Sequence, residues 1–150
     1  MNTKELVQSL SNQEKNFDRL ISVLLQKKEA IVANDFDQLD ERIKNEQTIL
    51  GDIDAEERKR KNLIESFAKN NSIVLENFTF DELFNTANKL FVSEQNNIEK
   101  LRTSIKDKAG RIININSQLT LLIDVSRNIV KERMMTLLGN GKRSLVNKRI

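Results

Sequence analysis

The most constraining feature of this sequence is a helical pattern that no proline interrupts. None of its 150 residues is proline, although average usage would place about seven in a chain of this length. Apolar side chains recur every three or four residues, which puts them on one face of an α-helix. The heptad series Leu10, Phe17, Leu24 and Ile31 is typical of the seam between long packed helices. The sequence therefore predicts an all-α fold.

Polar turn signals divide this pattern into three helices. Either Asn34 or Asp35 is predicted to cap the second helix, and Gln38 lies three residues after Asp35, as in a capping box. Thr79 is the predicted N-cap of the third helix, with Glu82 at the same spacing. The short turn before Asp35 predicts that the first two helices form an antiparallel hairpin, along which the third helix runs back. We predict an elongated antiparallel helical bundle or coiled coil in one domain, residues 1–138, with helices at about 3–33, 36–70 and 80–138 and a basic flexible tail at 139–150.

The third helix is predicted to be about twice as long as the other two. Its apolar positions keep one phase from Phe80 to Ile129, and Gly110 is the only soft point. An unbroken helix to Leu138 would be about 87 Å long, against about 45–50 Å for the hairpin. A break near Gly110 is the alternative, and it would place the last segment inside a closed four-helix bundle. The five phenylalanines at positions 67, 78, 80, 84 and 91 are predicted to close one end of the rod.

If the third helix is unbroken, residues from about Arg111 onward extend past the hairpin, although they form the most apolar segment of the chain. Leaving about six apolar side chains in water forfeits on the order of 10 kcal/mol, at 1.5–3 kcal/mol each. The segment is therefore expected to fold back, to pair with a second copy or to receive a different partner. The candidate partner-binding residues are Ile112, Ile115, Asn116, Leu119, Leu122, Ile123, Ser126, Ile129, Val130 and Met134, with Asn116 and Ser126 setting the register.

The composition removes most catalytic and metal-binding sites. The chain has no Cys and no His, so it can form neither a Cys/His zinc site nor a histidine base nor a cysteine nucleophile. It contains no phosphate-binding loop and no HExxH motif. A partial calcium-loop pattern that starts at Asp35 has Leu39 and Asp40 where that loop needs an oxygen ligand and a glycine. We predict no enzymatic activity, no cofactor, no metal and no small-molecule substrate.

The net charge of +3 comes from the tail, because residues 139–150 hold Lys142, Arg143, Lys148 and Arg149 and no acid. Four charges without aromatic residues fall short of the basic stripe of a nucleic-acid module, so we expect no nucleic-acid partner. No apolar run approaches the length of about 20 residues that spans a membrane. The N-terminus has no apolar signal core. These observations predict a cytoplasmic protein without a membrane span.

Several segments resemble the FlgN family of flagellar synthesis chaperones. The join between the first two helices, Glu29–Leu39, is similar to the corresponding join of that family, and Leu138–Lys142 resembles its glycine-containing tail. The pattern of the family's C-terminal helix is matched by Asn116, Leu122, Ile123, Ser126, Ile129 and Val130.

The resemblance implies a non-enzymatic export chaperone in the cytoplasm. Such a protein would bind the helical C-terminal ends of flagellar hook-associated (hook–filament junction) proteins through its C-terminal helix, here Ile112–Leu138. It would prevent their premature assembly and deliver them to the flagellar type III export gate. Two positions depart from the family pattern: Leu119 replaces a second Asn that bears on client register, and Leu138 replaces a Tyr that bears on gate contact.

Two alternatives remain open at this point. A homodimeric structural coiled coil would use the same apolar stripe to bind a second copy, so the chain is predicted to be a monomer or a homodimer. A weak polyanion-binding module would instead use the basic tail.

Overall fold

The computed structural model describes residues 3–138, and every regular element in that range is helical. The prediction of an all-α fold is confirmed. The predicted tail at 139–150 lies outside the described residues. The elements in chain order are α1 (Thr3–Val32), α2 (Phe36–Asn70), α3 (Phe80–Thr86), a 3₁₀ segment (Asn88–Glu94) and α4 (Gln95–Leu138).

Side-chain caps begin two of the helices, as predicted from the turn signals. The Asp35 carboxylate accepts a hydrogen bond from the backbone N–H of Gln38 at 3.1 Å. The Thr79 hydroxyl accepts one from the backbone N–H of Glu82 at 3.2 Å. The Glu82 carboxylate in turn accepts from the backbone N–H of Asn77 at 2.9 Å, so it orders the loop that leads into α3. These bonds satisfy backbone donors that a helix N-terminus leaves without intrahelical partners.

Helices α1 and α2 form an antiparallel hairpin. Arg19 Nη1 lies 3.0 Å from Asp52 Oδ2, and Lys27 Nζ lies 2.8 Å from Glu46 Oε1. Residue numbers therefore rise along α1 while they fall along the facing positions of α2. At 1.5 Å per residue the hairpin is about 45–52 Å long.

Helix α4 runs parallel to α1 on its other side. Lys108 Nζ lies 3.0 Å from Asp18 Oδ1, and Lys28 Nζ donates a hydrogen bond to Gln118 Oε1 at 3.0 Å. Within the described range no Cα atom of α2 comes within 8 Å of a Cα atom of α4. Helix α1 is thus the central element: the backbones of α2 and α4 both pack against it and lie farther from each other.

The core consists of two apolar clusters along this arrangement. The lower cluster, next to α3, buries Leu6, Leu10, Ile64, Phe67, Phe80, Leu83, Phe84, Phe91, Ile98 and Leu101. The upper cluster, toward the turn between α1 and α2, buries Leu20, Ile21, Val23, Leu24, Ile49, Ile115 and Leu119. Each cluster takes side chains from α1, α2 and α4, so the three long helices are held together at two levels.

A polar layer separates the two clusters. The side chain of Gln13, which is 1% exposed, donates hydrogen bonds to the Ile53 carbonyl at 3.2 Å and to Glu57 Oε1 at 3.1 Å. Arg60 pairs with the same carboxylate. Because buried polar groups are costly unless they are hydrogen-bonded, this layer favours one register between α1 and α2.

The predicted single helix from Phe80 to Leu138 is wrong at its beginning, where the chain breaks between α3 and α4. Ala87 has φ −128° and ψ 38°, which ends α3, and Phe91 has φ −113° inside the 3₁₀ segment. In a straight helix the Cα atoms of Phe80 and Phe91 would be about 16 Å apart. Their ring centroids are instead 5.9 Å apart. Folding the chain here brings both rings into the lower cluster, and their burial compensates for the interrupted helix.

The predicted phenylalanine plug is confirmed by this packing. Phe91 lies at its centre, with ring centroids 5.6 Å from Phe67 and 5.9 Å from Phe84, and Phe78 packs against the cluster. The alternative break near Gly110 does not occur, because α4 continues through that residue without interruption.

Candidate functional site

The upper end of the hairpin marks where α4 loses its neighbours. The hydrogen bond from Lys28 to Gln118 aligns the two parallel helices. Helix α1 ends at Val32, four residues after Lys28. Because the two helices are parallel, this end lies at the level of Leu122, four residues after Gln118. The part of α4 from 122 to 138, hereafter the overhang, extends about 24 Å farther.

The overhang begins at Leu122, beyond the boundary near Arg111 that the sequence predicted. This difference corrects part of the predicted site. Ile115 and Leu119 are only 7% and 4% exposed, because they pack in the upper cluster between α1 and α2. Ile112 is half-buried against the same cluster. The cause is the broken third helix: α3 and the 3₁₀ segment stay at the lower end, so α4 starts there at Gln95 and the hairpin covers it beyond Gly110.

The other predicted residues lie at or beyond the end of the hairpin, with the exception of Asn116, which is exposed on the covered part of α4. Leu122 and Ser126 are half-buried. The remaining side chains are apolar and exposed: Ile123 (38%), Ile129 (44%), Val130 (56%) and Met134 (44%). The structure thus brings six of the ten predicted residues onto one free helical segment.

The free segment carries forward the helix face that is buried lower down. Each residue of an α-helix advances by about 100°, so positions spaced three or four apart share a face. From the buried Leu119 this face continues through Leu122, Ser126, Ile129 and Arg133. This face is therefore an apolar stripe that is interrupted by the hydroxyl of Ser126 and the guanidinium of Arg133. Arg133 was not among the predicted binding residues, although its spacing of seven from Ser126 places it on this face.

Two further exposed apolar side chains lie at the tip of the hairpin, where the overhang begins. Val32 at the end of α1 is 66% exposed, and Phe36 at the start of α2 is 71% exposed. Phe36 shares the three- and four-residue spacing of Leu39 and Ile43 on α2, a pattern that equally fits a core position. An apolar side chain in the first turn of a helix can extend past the end of a packed bundle, and only the packing distinguishes the two cases.

The overhang has the chemistry of a docking surface for a helix. Its charged side chains, Asp124, Arg127, Lys131, Glu132 and Arg133, form no ion pair within residues 3–138, and they sum to +1. Within the same range no group of three or more His, Cys, Asp or Glu residues is arranged to hold a metal ion. An exposed apolar stripe with flanking charges is the surface that an amphipathic partner helix recognises.

A family model described as "FlgN protein" matches residues 1–146. The chain belongs to the FlgN family. This confirms the resemblance found at the helix join and along α4. No curated protein and no solved structure gives a significant match to this FlgN-family chain. Among the helices that the structure describes, none is long and apolar enough to cross a membrane.

Proposed function

We propose that this FlgN-family protein is a cytoplasmic flagellar export chaperone. Its clients are the hook-associated (hook–filament junction) proteins, whose helical C-terminal ends bind the overhang of α4. Binding keeps these ends from assembling prematurely, and the complex is delivered to the flagellar type III export gate. The protein performs this role without catalysis, cofactor or nucleotide.

The observation that carries the proposal is the exposed apolar stripe on the overhang, on a chain whose family match spans residues 1–146. We propose the binding surface as Leu122, Ile123, Ser126, Ile129, Val130, Met134 and, in addition, Arg133. Ile115 and Leu119 belong to the chaperone's own core, so they act on this surface only by holding α4 in place.

The energetics favour a reversible complex. Covering the exposed part of each stripe residue contributes about 1 kcal/mol, since full burial of such a side chain is worth about 1.5–3 kcal/mol. Five or six residues with a matching client stripe therefore give on the order of 10 kcal/mol, from which association costs of several kcal/mol are subtracted. The net value corresponds to a complex that can release its client by helix exchange.

The proposal is tested by placing a charge in the stripe. In Ile129→Asp a carboxylate is buried against the client helix, so we expect calorimetric titration with a C-terminal peptide of a hook-associated protein to show at least about tenfold weaker binding. Asn128→Asp is the matched control, because it adds the same charge one residue away on a different face. Circular dichroism should show an unchanged hairpin in both variants, since neither position is buried.

Equal binding by Ile129→Asp and Asn128→Asp would contradict the assignment of this surface. The homodimeric coiled coil is examined in the same preparation by sedimentation at micromolar concentration. A stable dimer that Ile129→Asp dissociates would favour self-association through the stripe over the chaperone function.

A further inference from the structure

The separation of α2 from α4 leaves a groove along the lower half of the molecule. Leu10 of α1 lies at its floor, residues of α2 and α4 form its walls, and the loop before α3 closes one end together with the start of α3. Its volume is about 810 Å³. Its wall on α4 runs from Glu99 to Ala109, a length of about 15 Å or nearly three helical turns. The groove occupies the position of the fourth helix in a four-helix bundle.

The inside of the groove combines an apolar floor with a basic rim. The apolar side chains that line it are Leu10, Ile64, Phe78, Phe80, Ile105 and Ala109. Five basic, three acidic and three uncharged polar residues line the rest. A helix with one apolar face fits a surface of this kind.

The free charges on the rim are predominantly positive, because most of the acids are already paired. Glu57 is paired with Arg60, and Asp81 with Arg102 at 2.9 Å. Arg58, Lys61 and Lys106 form no ion pair within residues 3–138, and Glu99 is the one acid lining the groove that is not in an ion pair. The rim therefore complements a negatively charged partner.

A buried guanidinium adds a second, independent indication of the partner's charge. Arg60 is only 9% exposed and lines the wall formed by α2. Its Nη2 is used by Glu57, whereas its buried Nη1 finds no acceptor among the described residues. An unused charged donor in such a position is costly, and a partner's carboxylate can pair with it when the guanidinium turns outward into the groove.

We propose that this groove is a docking site for an acidic amphipathic helix of a partner protein, distinct from the surface on the overhang. The partner's apolar face covers the floor, and its Glu or Asp side chains face Arg58, Lys61 and Lys106. The chain's own C-terminal segments lack the required charge, since the overhang sums to +1 and residues 139–150 contain four basic residues and no acid. The inference does not rest on the proposed chaperone function, because no groove residue belongs to the overhang.

The experiment uses the full chain, labelled with ¹⁵N, and a lactam-stapled helical peptide of about 14 residues, or about 21 Å. The peptide carries Leu on one face and Glu on both flanks, and a control peptide has Lys in place of each Glu. We expect the Glu peptide to bind about tenfold more tightly than the Lys peptide. Its amide shift changes should concentrate at residues 57–64 and 99–109.

Charge reversal within the groove supplies the decisive comparison. The double variant Lys61→Glu/Lys106→Glu should bind the Glu peptide about tenfold more weakly than the unmodified chain does. Lys59→Glu/Lys100→Glu is the matched control, because it makes the same change in net charge on the same two helices with exposed lysines outside the groove. This control should retain the affinity of the unmodified chain.

Three results would overturn the proposal. The first is equal affinity for the Glu and Lys peptides, and the second is equal weakening by the two double variants. The third is a dimer of the chain alone that dissociates on Lys61→Glu/Lys106→Glu, since it would make a second copy the occupant of the groove. Failure of the chaperone function would appear separately, as client binding that Ile129→Asp leaves unchanged.

Discussion

Leu119 should stabilise the fold of the isolated chain and should not form part of its partner-binding surface. Its side chain is 4% exposed and packs in the upper cluster with Leu24 of α1 and Ile49 of α2. Leu119→Ala removes three buried carbon atoms and leaves a cavity between three helices. Substitutions of this kind cost about 2–5 kcal/mol of unfolding free energy. For a chain of about this length, each kcal/mol lowers the melting temperature by about 2–4 °C, so we expect a loss of at least about 4 °C.

Ile129 provides the comparison, because it lies on the same face of α4 three turns farther along. It is 44% exposed and belongs to neither apolar cluster. Ile129→Ala should change the unfolding free energy by less than about 0.5 kcal/mol, because the lost contacts are few and Ala has the higher helix propensity. The same variant should weaken client binding, whereas Leu119→Ala should leave it unchanged well below its melting temperature.

Urea unfolding followed by circular dichroism at 222 nm measures both variants under the same conditions. A loss of less than about 1 kcal/mol in Leu119→Ala would refute the reasoning, because it would mean that α4 does not pack on the hairpin as far as this residue. The reasoning would also be refuted if Ile129→Ala lowered the unfolding free energy as much as Leu119→Ala does. The overhang would then be part of the core of the chain.

Three further predictions concern other parts of the molecule. Gly110→Ala should stabilise the chain by about 0.5–1 kcal/mol in urea unfolding, since α4 is continuous there and an added Cβ meets nothing within 4 Å; destabilisation would indicate a bend at this residue. Thr79→Ala should cost about 1 kcal/mol in the same measurement, because it removes the N-cap of α3, and Thr79→Ser should restore most of the loss. Phe36→Ser should leave the melting temperature within about 2 °C of the original value, because the side chain is 71% exposed, and a larger drop would place it in the core.

The helix starts illustrate what could be predicted from the sequence. Each is encoded within a few residues, because a carboxylate or hydroxyl at the cap accepts a hydrogen bond from a backbone N–H three positions later. Asp35 with Gln38 and Thr79 with Glu82 show this pattern both in the sequence and in the structure. The phenylalanine plug was also predictable, since large aromatic side chains near a chain reversal have few places to pack other than against one another.

The break between α3 and α4 could not be predicted in the same way. The apolar residues keep their phase from Phe80 to Phe91, and a spacing of three and four fits a straight helix as well as a folded one. Whether the chain is straight or folded here depends on whether the rings of Phe80 and Phe91 both reach the lower cluster. That is decided by their contacts with α1 and α2. For the same reason the sequence placed the end of the covered part of α4 near Gly110, whereas the structure places it near Leu122.

Local information in the sequence determined that the chain is helical, where α2 and α3 begin, and that the last part of α4 has an apolar stripe. Periodicity and capping act over a few residues and need no knowledge of the rest of the chain. Tertiary structure alone decided which part of the stripe is core and which part is free, because Leu119 and Ile129 have the same character and spacing. It alone created the groove between α2 and α4, since that groove depends on how far apart the backbones of two helices distant in sequence lie.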